Sequence, residues 1–252
     1  MIRYLMPSMR LLQYNIRYAV GNGASMHVPL PGAGYVFGNQ TVLPDITRFI
    51  KSVDPDIVGL IEIDTGSVRS RRINQAEKIA ADLSMNTSYE TKYGEKSINK
   101  ILPIIRKQGN AFLTARRVHN EKFHYFDTGI KRLIIELELE HYSIFLVHLS
   151  LKYRHRHLQL RRLYDLIKNT KKPVIVTGDF NTFWGESEIY LFMEAAKLSS
   201  ANEKGIPTYP SRSPKKELDF VLHQDGIDVT GFEVPDIRLS DHRPIICDFE
   251  LR

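Results

Sequence analysis

Gly178-Asp179-Phe180-Asn181 follows directly on the apolar run Val174-Ile175-Val176, setting a carboxylate and a neutral amide two positions apart at the end of a buried strand. The carboxylate can hold a cation or a water, and the amide can donate to an oxygen without adding negative charge, which suits the handling of a phosphoryl group. The same residue types also make an ordinary turn. Glu62 is the second signal, because it lies inside the apolar stretch Asp56–Asp64, where a carboxylate is costly unless paired or metal-bound. If Glu62 and Asp179 meet, they form an oxygen-rich site of the kind Mg²⁺ prefers.

Other polar residues recur at comparable places: Asn15 in Tyr14-Asn15-Ile16, His148 in Val147-His148-Leu149, Asp219 in Leu218-Asp219-Phe220, and the pair Asp241-His242 before Pro244. Taken singly, each also fits a structural role as a core histidine, a capping aspartate or a buried asparagine with partners. Taken together, they suggest a site beyond strand ends, where α/β proteins gather their chemistry. The chemistry that fits is metal-assisted hydrolysis of a phosphate ester. Glu62 would hold Mg²⁺ against a phosphoryl oxygen, and His242 would act with water while Asp219 orients its ring. Asp179 could orient the water, and Asn181 and His148 could donate to the phosphate. The chain has no serine nucleophile elbow, no Walker-type glycine loop and no dinucleotide fingerprint.

Periodicity supplies the elements that position these groups. Arg10–Tyr18 reads as a strand and Gly21–Gln40 as a long loop beside it. Ile46, Phe49, Ile50 and Val53 give a helix over Leu43–Val53, and Ile73, Ala76, Ala80 and Leu83 give another. Tyr89–Gln108 reads as a lysine-bearing excursion that lines a cleft, and Arg132 as a support for a strand or the site. Leu133, Ile135, Leu137 and Leu139 alternate with Glu136, Glu138 and Glu140, which predicts a strand with one solvated face. A helix burying Leu160, Leu163, Tyr164 and Ile167 turns a basic side outward, with Arg156 and Gln159 either anchoring it to the site or facing water. Ser187–Leu198 reads as a helix that buries Ile189, Leu191 and Phe192, and Trp184 is expected to pack at the cleft edge.

The chain has 252 residues and no linker or repeat, so one domain over 1–252 is expected. Its single cysteine, Cys247, excludes an internal disulfide or a cysteine-cluster metal site and fits a reducing compartment. Arg3, Arg10 and Arg17 break up the N-terminal apolar residues, so no signal peptide or integral membrane segment is expected, and the cytoplasm is the default location. The net charge is +6, and much of the excess lies in 151–172. That run is either a solvated helix face or a surface that attracts a phosphate-bearing substrate, nucleic acid included.

These motifs, with Gly109-Asn110-Ala111 and Ser240-Asp241-His242-Arg243-Pro244, resemble in order and content the endonuclease/exonuclease/phosphatase, or DNase I-like, superfamily. The resemblance spans nearly the whole chain and implies a four-layered α/β sandwich, two mixed sheets face to face with helices outside. It implies Glu62 as principal Mg²⁺ ligand with Asn15 and Asp241 near the metal, Mn²⁺ being a substitute in vitro. It implies Asp219–His242 as the catalytic dyad and Asp179, Asn181 and His148 as phosphate- or water-orienting groups, with Asn15 also near substrate. The general base falls to either Asp179 or His242. A phosphodiesterase is the expected activity, a DNA or RNA nuclease the alternative within enzymes, and an inactive phosphate-binding scaffold the alternative outside them. No obligate protein partner is expected.

Overall fold

The computed structural model describes residues 8–22, 42–92, 105–129 and 133–252. Most of the expected 21–40 loop, the middle of the 89–108 excursion and Arg132 lie outside the described residues.

Two six-stranded mixed sheets form the frame. The first contains β1 (Met9–Asn15), β2 (Ile57–Asp64), β3 (Asn86–Thr91), β4 (Gln108–Thr114), β11 (Ile227–Glu233) and β12 (Ile245–Leu251), in the order β11-β12-β1-β2-β4-β3. The second contains β5 (Asn120–Tyr125), β6 (Leu133–Glu138), β7 (Ser143–His148), β8 (Val174–Asp179), β9 (Ser199–Ser200) and β10 (Asp219–His223), in the order β5-β6-β7-β8-β10-β9. Each sheet is antiparallel except at its centre, where β1 runs parallel to β2 and β7 parallel to β8. Helix α1 (Leu43–Val53) connects the first parallel pair and α3 (Tyr153–Ile167) the second, as a parallel pair requires a crossover. Helices α2 (Gln75–Leu83) and α4 (Tyr190–Ala196) complete the outer layers.

Alternation along the central strands decides where the chemistry sits. Leu11, Ile57, Ile61, Leu146, Ile175 and Val221 face inward and form the core between the sheets. Leu12, Val58 and Leu60 face α1 and α2, and Val147, Val174, Val176 and Phe220 face α3 and α4. Following the inward positions toward one end gives Leu11–Gln13–Asn15, Leu146–His148, Ile175–Thr177–Asp179 and Val221–Asp219. The inter-sheet core therefore turns from apolar to polar at a single end of the sandwich. Gly178 permits the close approach of β7 and β8, because a Cβ there would sit 1.9 Å from the Val147 carbonyl oxygen.

The expected fold is the one found, and several local readings are corrected. β1 stops at Asn15 rather than Tyr18. Ile73 lies outside α2, which begins after the capping Asn74. The start of the excursion, Tyr89-Glu90-Thr91, is the end of the edge strand Asn86–Thr91, which pairs with β4. Glu136 is not on a solvated face: it is buried, with His124 Nε2 at 2.6 Å and Lys122 Nζ at 3.2 Å. The helix read over Ser187–Leu198 is shorter, preceded by a 3₁₀ turn, and Leu191 is exposed. Trp184 does not pack at the cleft edge, since it is 83% exposed.

Candidate active site

His148, Asp179 and Asp219 stand side by side on three neighbouring strands, for Asp179 is in register with both of the others. All three side chains are buried. Asn15 faces them from the other sheet and donates its Nδ2–H to Asp179 Oδ2 at 3.1 Å, while its Oδ1 accepts from the Arg17 backbone N–H at 3.1 Å. His148 Nε2 lies 3.2 Å from the same Asp179 oxygen. The other Asp179 oxygen accepts the Asn181 backbone N–H at 3.0 Å, and Asn181 Nδ2 donates to the Leu149 carbonyl at 2.9 Å. That closed turn places Asn181 at φ +54°, a conformation asparagine tolerates better than most residues.

His242 arrives on the loop before β12. Its Nδ1 is 2.7 Å from Asp219 Oδ2, and its Nε2 looks toward Asp179 Oδ2 at 3.9 Å. Asp219 is held on every side, with Thr208 Oγ1 donating at 2.7 Å and Gln13 Nε2 at 3.2 Å. Burial pushes the imidazole pKa down, but the charges of Asp219 and Asp179 and the Asp219 hydrogen bond overcome it and hold the ring up at about 10. The ring is thus protonated at neutral pH. Tyr209 packs on it with ring centroids 4.9 Å apart.

Glu62 reaches the same place by a different device. Simple alternation after the inward Ile61 would turn it outward, toward α1 and α2. The β2–β4 register shifts between Ile61 and Ile63, and Glu62 adopts φ +58°, so a bulge re-aims its carboxylate into the site. Its backbone N–H is bonded by Asn110 Oδ1 at 3.3 Å. The carboxylate faces Lys92 Nζ at 3.6 Å and His148 Nδ1 at 4.0 Å. Asp241 faces Arg17 Nε at 3.4 Å and accepts from Ser240 Oγ at 3.2 Å. Burial raises the Asp241 pKa, His242 and Arg17 oppose the rise, and Glu62 adds to it. The two carboxylates therefore feel each other's charge, which is the condition a bound cation relieves.

A metal ion has two places to be considered. Asp179, Asp219 and His242 could each offer a ligand atom within 4.8 Å of the others. Their oxygens, however, are already met by donors at 2.7–3.2 Å. Glu62 and Asp241 present hard oxygens to cations at 3.4–3.6 Å, longer than charge-assisted hydrogen bonds of about 2.7–2.9 Å. That donor set fits Mg²⁺ better.

The described structure brings every expected site residue, namely Asn15, Glu62, His148, Asp179, Asn181, Asp219, Asp241 and His242, to this one end. It also adds residues to which no role was given. Thr208 and Gln13 fix Asp219, Arg17 faces Asp241, and Lys92 faces Glu62. Arg156 and Gln159, read as either anchoring α3 to the site or facing water, are buried and anchor it to the loop after β7. Arg156 Nη1 donates to the Ser150 and Leu151 carbonyls and Nη2 to Glu188, while Gln159 Oε1 accepts the Ser150 N–H. Lys92 was hidden in the Tyr89–Gln108 stretch read as an excursion.

Among solved structures, an endonuclease/exonuclease/phosphatase family protein from Bacteroides thetaiotaomicron superposes with a TM-score of 0.78 at 14% identity, covering 99% of this chain and 100% of its own. A mannosyl-6-phosphatase of Bacteroides thetaiotaomicron VPI-5482 gives 0.73 at 15% identity, covering 96% and 99%. At such identities the likeness is one of fold. A UPF0294 protein of Yersinia pseudotuberculosis serotype O:1b (strain IP 31758) is 28% identical over 149 residues, 59% of this chain and 51% of that protein, so the match spans about half the length of this curated relative. The model of the endonuclease/exonuclease/phosphatase family matches residues 12–242, which contain every site residue described above, and the chain belongs to that family of phosphoester hydrolases.

Proposed function

We propose that the chain is a Mg²⁺-dependent phosphoric ester hydrolase acting on a phosphodiester. The observation that carries this reading is the His242 ring held between Asp219 at 2.7 Å and Asp179 at 3.9 Å, three buried groups from three separate segments. Asp219 fixes the ring with Nε2 toward the substrate, and the proton that ring holds up to about pH 10 makes it a donor to phosphoryl or leaving-group oxygen. Asp179, braced by Asn15, His148 and Asn181, is then the group to orient the attacking water and receive its proton. Asn181 and His148 bind the phosphoryl oxygens, with Asn15 at their edge. Mg²⁺, for which Mn²⁺ can substitute in vitro, would be held by Glu62 and Asp241 beside the Asn15 carbonyl, and it supplies positive charge to a phosphoryl oxygen. The whole chain, 1–252, acts as one catalytic domain without an obligate protein partner. Among the described residues no helix is long and apolar enough to cross a membrane. The cytoplasm is the proposed place of action, in keeping with the single buried free Cys247.

A nuclease is the second reading, favoured by the exposed Lys152, Arg154, Arg161 and Arg162 on or beside α3, whose first residues adjoin the His148 loop. One experiment separates the readings: Mg²⁺-dependent turnover of a phosphomonoester, a generic phosphodiester, supercoiled DNA and a choline phospholipid, with His242→Ala alongside. Turnover of the small diester or the lipid, lost in the variant, supports the proposal. Nicking of DNA, lost in the variant, selects the nuclease. Stoichiometric phosphate binding without turnover across metals leaves an inactive scaffold.

A further inference from the structure

We propose that the loop tips beyond His148 and Asn181 form a docking face for an anionic phospholipid membrane, which presents a headgroup phosphodiester to the site. The docking itself is independent of the hydrolase reading above, on which the choice of substrate rests. Leu151 lies three residues past His148 and Trp184 three past Asn181, and the two loops are joined where Asn181 Nδ2 donates to the Leu149 carbonyl at 2.9 Å. Leu151, Tyr153 and Trp184 at their tips are all exposed. They are also fixed. Arg156, itself buried, donates to the Leu151 carbonyl at 3.1 Å and lies 5.9 Å from the Tyr153 ring centroid. It pairs with Glu188, which accepts the Trp184 backbone N–H at 2.9 Å. Leu151, Tyr153 and Trp184 therefore surround one buried ion pair. Tyr190 and Leu191, exposed as well, open α4 two and three residues beyond Glu188.

The composition of this rim decides what it meets. Large apolar side chains gathered on a water-exposed surface mark a place where something covers them. Tryptophan and tyrosine favour the membrane–water boundary, with ring carbons in the apolar region and the N–H or O–H in water. On 151–154, 184–187 and 215–216 the exposed charged residues are Lys152, Arg154, Lys215 and Lys216 against Glu186, a balance drawn to anionic lipid. Lys216 belongs to the same rim. Its Nζ donates to the Phe183 carbonyl at 2.6 Å, and its backbone N–H donates at 2.9 Å to the carbonyl of Tyr209, the residue packed on His242. A single-stranded nucleic acid would also use cations and rings, but Leu151 and Leu191, 60% and 76% exposed, give a base no ring to stack on. A lipid interface takes up aliphatic and aromatic side chains alike. A membrane docked on these tips lies over the loops that follow His148 and Asp179, where a headgroup phosphate is handled.

Trp184 is the only tryptophan in the chain, so its fluorescence reports on this surface alone. With vesicles of phosphatidylglycerol and phosphatidylcholine in equal parts, the emission of the full chain should shift to the blue and be quenched by brominated acyl chains. Vesicles of phosphatidylcholine alone should bind about tenfold more weakly or worse, since each cation near an anionic surface is worth about fivefold. Co-sedimentation with the mixed vesicles measures the variants. Leu151→Ser and Trp184→Ala should each bind about tenfold more weakly, as expected when a large apolar side chain no longer leaves water. Both should leave turnover of a soluble phosphodiester unchanged, because neither side chain is among the site groups. An emission that mixed vesicles do not move, or variants that sediment like the natural protein, overturns the docking face. Quenching by single-stranded DNA where vesicles have no effect overturns it too, and assigns the rim to nucleic acid. In each case turnover of the soluble diester keeps the hydrolase reading standing. If vesicles bind as expected and no phosphoester is hydrolysed, the hydrolase reading falls and the docking face remains.

Discussion

The two sheets contribute to one site in different ways. The second sheet supplies His148, Asp179, Asn181 and Asp219, joined with His242 in a network whose hydrogen bonds run from 2.7 to 3.2 Å. The first sheet supplies Glu62 on a bulge and Arg17 on a left-handed turn, and its carboxylates face cations at 3.4–3.6 Å. Asn15 joins the halves, and Asp241-His242 sends one residue to each. Among the described residues the second half is closely cross-bonded, so the fold itself fixes its donors and acceptors, as electrostatic preorganisation requires. The first half holds residues in left-handed conformations costing about 1–2 kcal/mol each and sets its carboxylates against cations at 3.4–3.6 Å, longer than charge-assisted hydrogen bonds of about 2.7–2.9 Å. Such an arrangement is suited to exchange partners when an ion binds.

The largest effects should come from breaking the closed half. His242→Ala should lower kcat by about 10³-fold or more, because the proton donor and the ring that Asp219 orients are lost together. Asp219→Asn should do nearly as much while leaving phosphate binding within a few fold. Raising Mg²⁺ should rescue neither variant. A Mg²⁺ titration of kcat checks this, and recovery of either variant at high metal would break the distinction between the halves.

The closed half also depends on support from outside the strands. Arg156 is buried and bonds the carbonyls after β7 and the Glu188 carboxylate, and Glu188 in turn accepts the Trp184 backbone N–H at 2.9 Å. Arg156→Ala should cost about 3–5 kcal/mol in urea-unfolding stability, since it leaves the Glu188 carboxylate without its partner. Trp184→Ala should cost almost nothing in stability, given its exposure. A similar loss for both would mean that Trp184 packs against something in solution.

How much of this was visible in the sequence follows from what kind of signal each part leaves. Helix α1 was readable at both ends because its apolar spacing and Pro44 are local, and so were the buried strands β2 and β8. The site residues were readable because polar side chains interrupt apolar runs in a motif order that a family shares. The bulge at Glu62 was not, because strict alternation predicts the opposite face and only pairing with β4 reveals the extra residue. Edge strand β3 and Lys92 left no periodic signal. Glu136 follows the alternation of a solvated strand, and its burial comes from partners on β5. Leu191 was assigned to a buried face of a helix that starts later than its apolar residues suggest.

For the open half, Glu62→Gln should raise the Mg²⁺ dissociation constant by about 100-fold, the order expected when a charged ligand is replaced by a neutral one in a site with few ligands. Unlike His242→Ala, it should recover part of its kcat at high Mg²⁺. Tm should change little, since Gln preserves the side-chain shape and the bulge depends on the backbone. Calorimetric metal titration and kcat at saturating Mg²⁺ together decide the matter. A metal affinity that Glu62→Gln leaves unchanged would move the ion to the Asp179–Asp219–His242 cluster and reverse the comparison.

The smallest effect distinguishes charge that the closed half uses from charge it merely tolerates. Glu217 stands two residues before Asp219 and accepts from Asn202 Nδ2 at 2.7 Å. Burial pushes its pKa up to about 7 from 4.5, the Asn202 hydrogen bond opposes the rise, and the charges of Glu186 and Asp219 add to it. Between those two values the folded chain binds a proton that the unfolded chain has released, so this group's contribution to stability falls as pH rises through the window. Glu217→Gln keeps an acceptor for Asn202 and removes the titration. Its stability relative to the natural protein should therefore grow from pH 4.5 to pH 7 and level off above, reaching about 1–2 kcal/mol once the partial exposure of the carboxylate is allowed for. Urea unfolding at a series of pH values measures it. A difference that is flat with pH would mean that Glu217 is ionised in the folded protein, and that the closed half accommodates a further negative charge beside Asp219 at no cost.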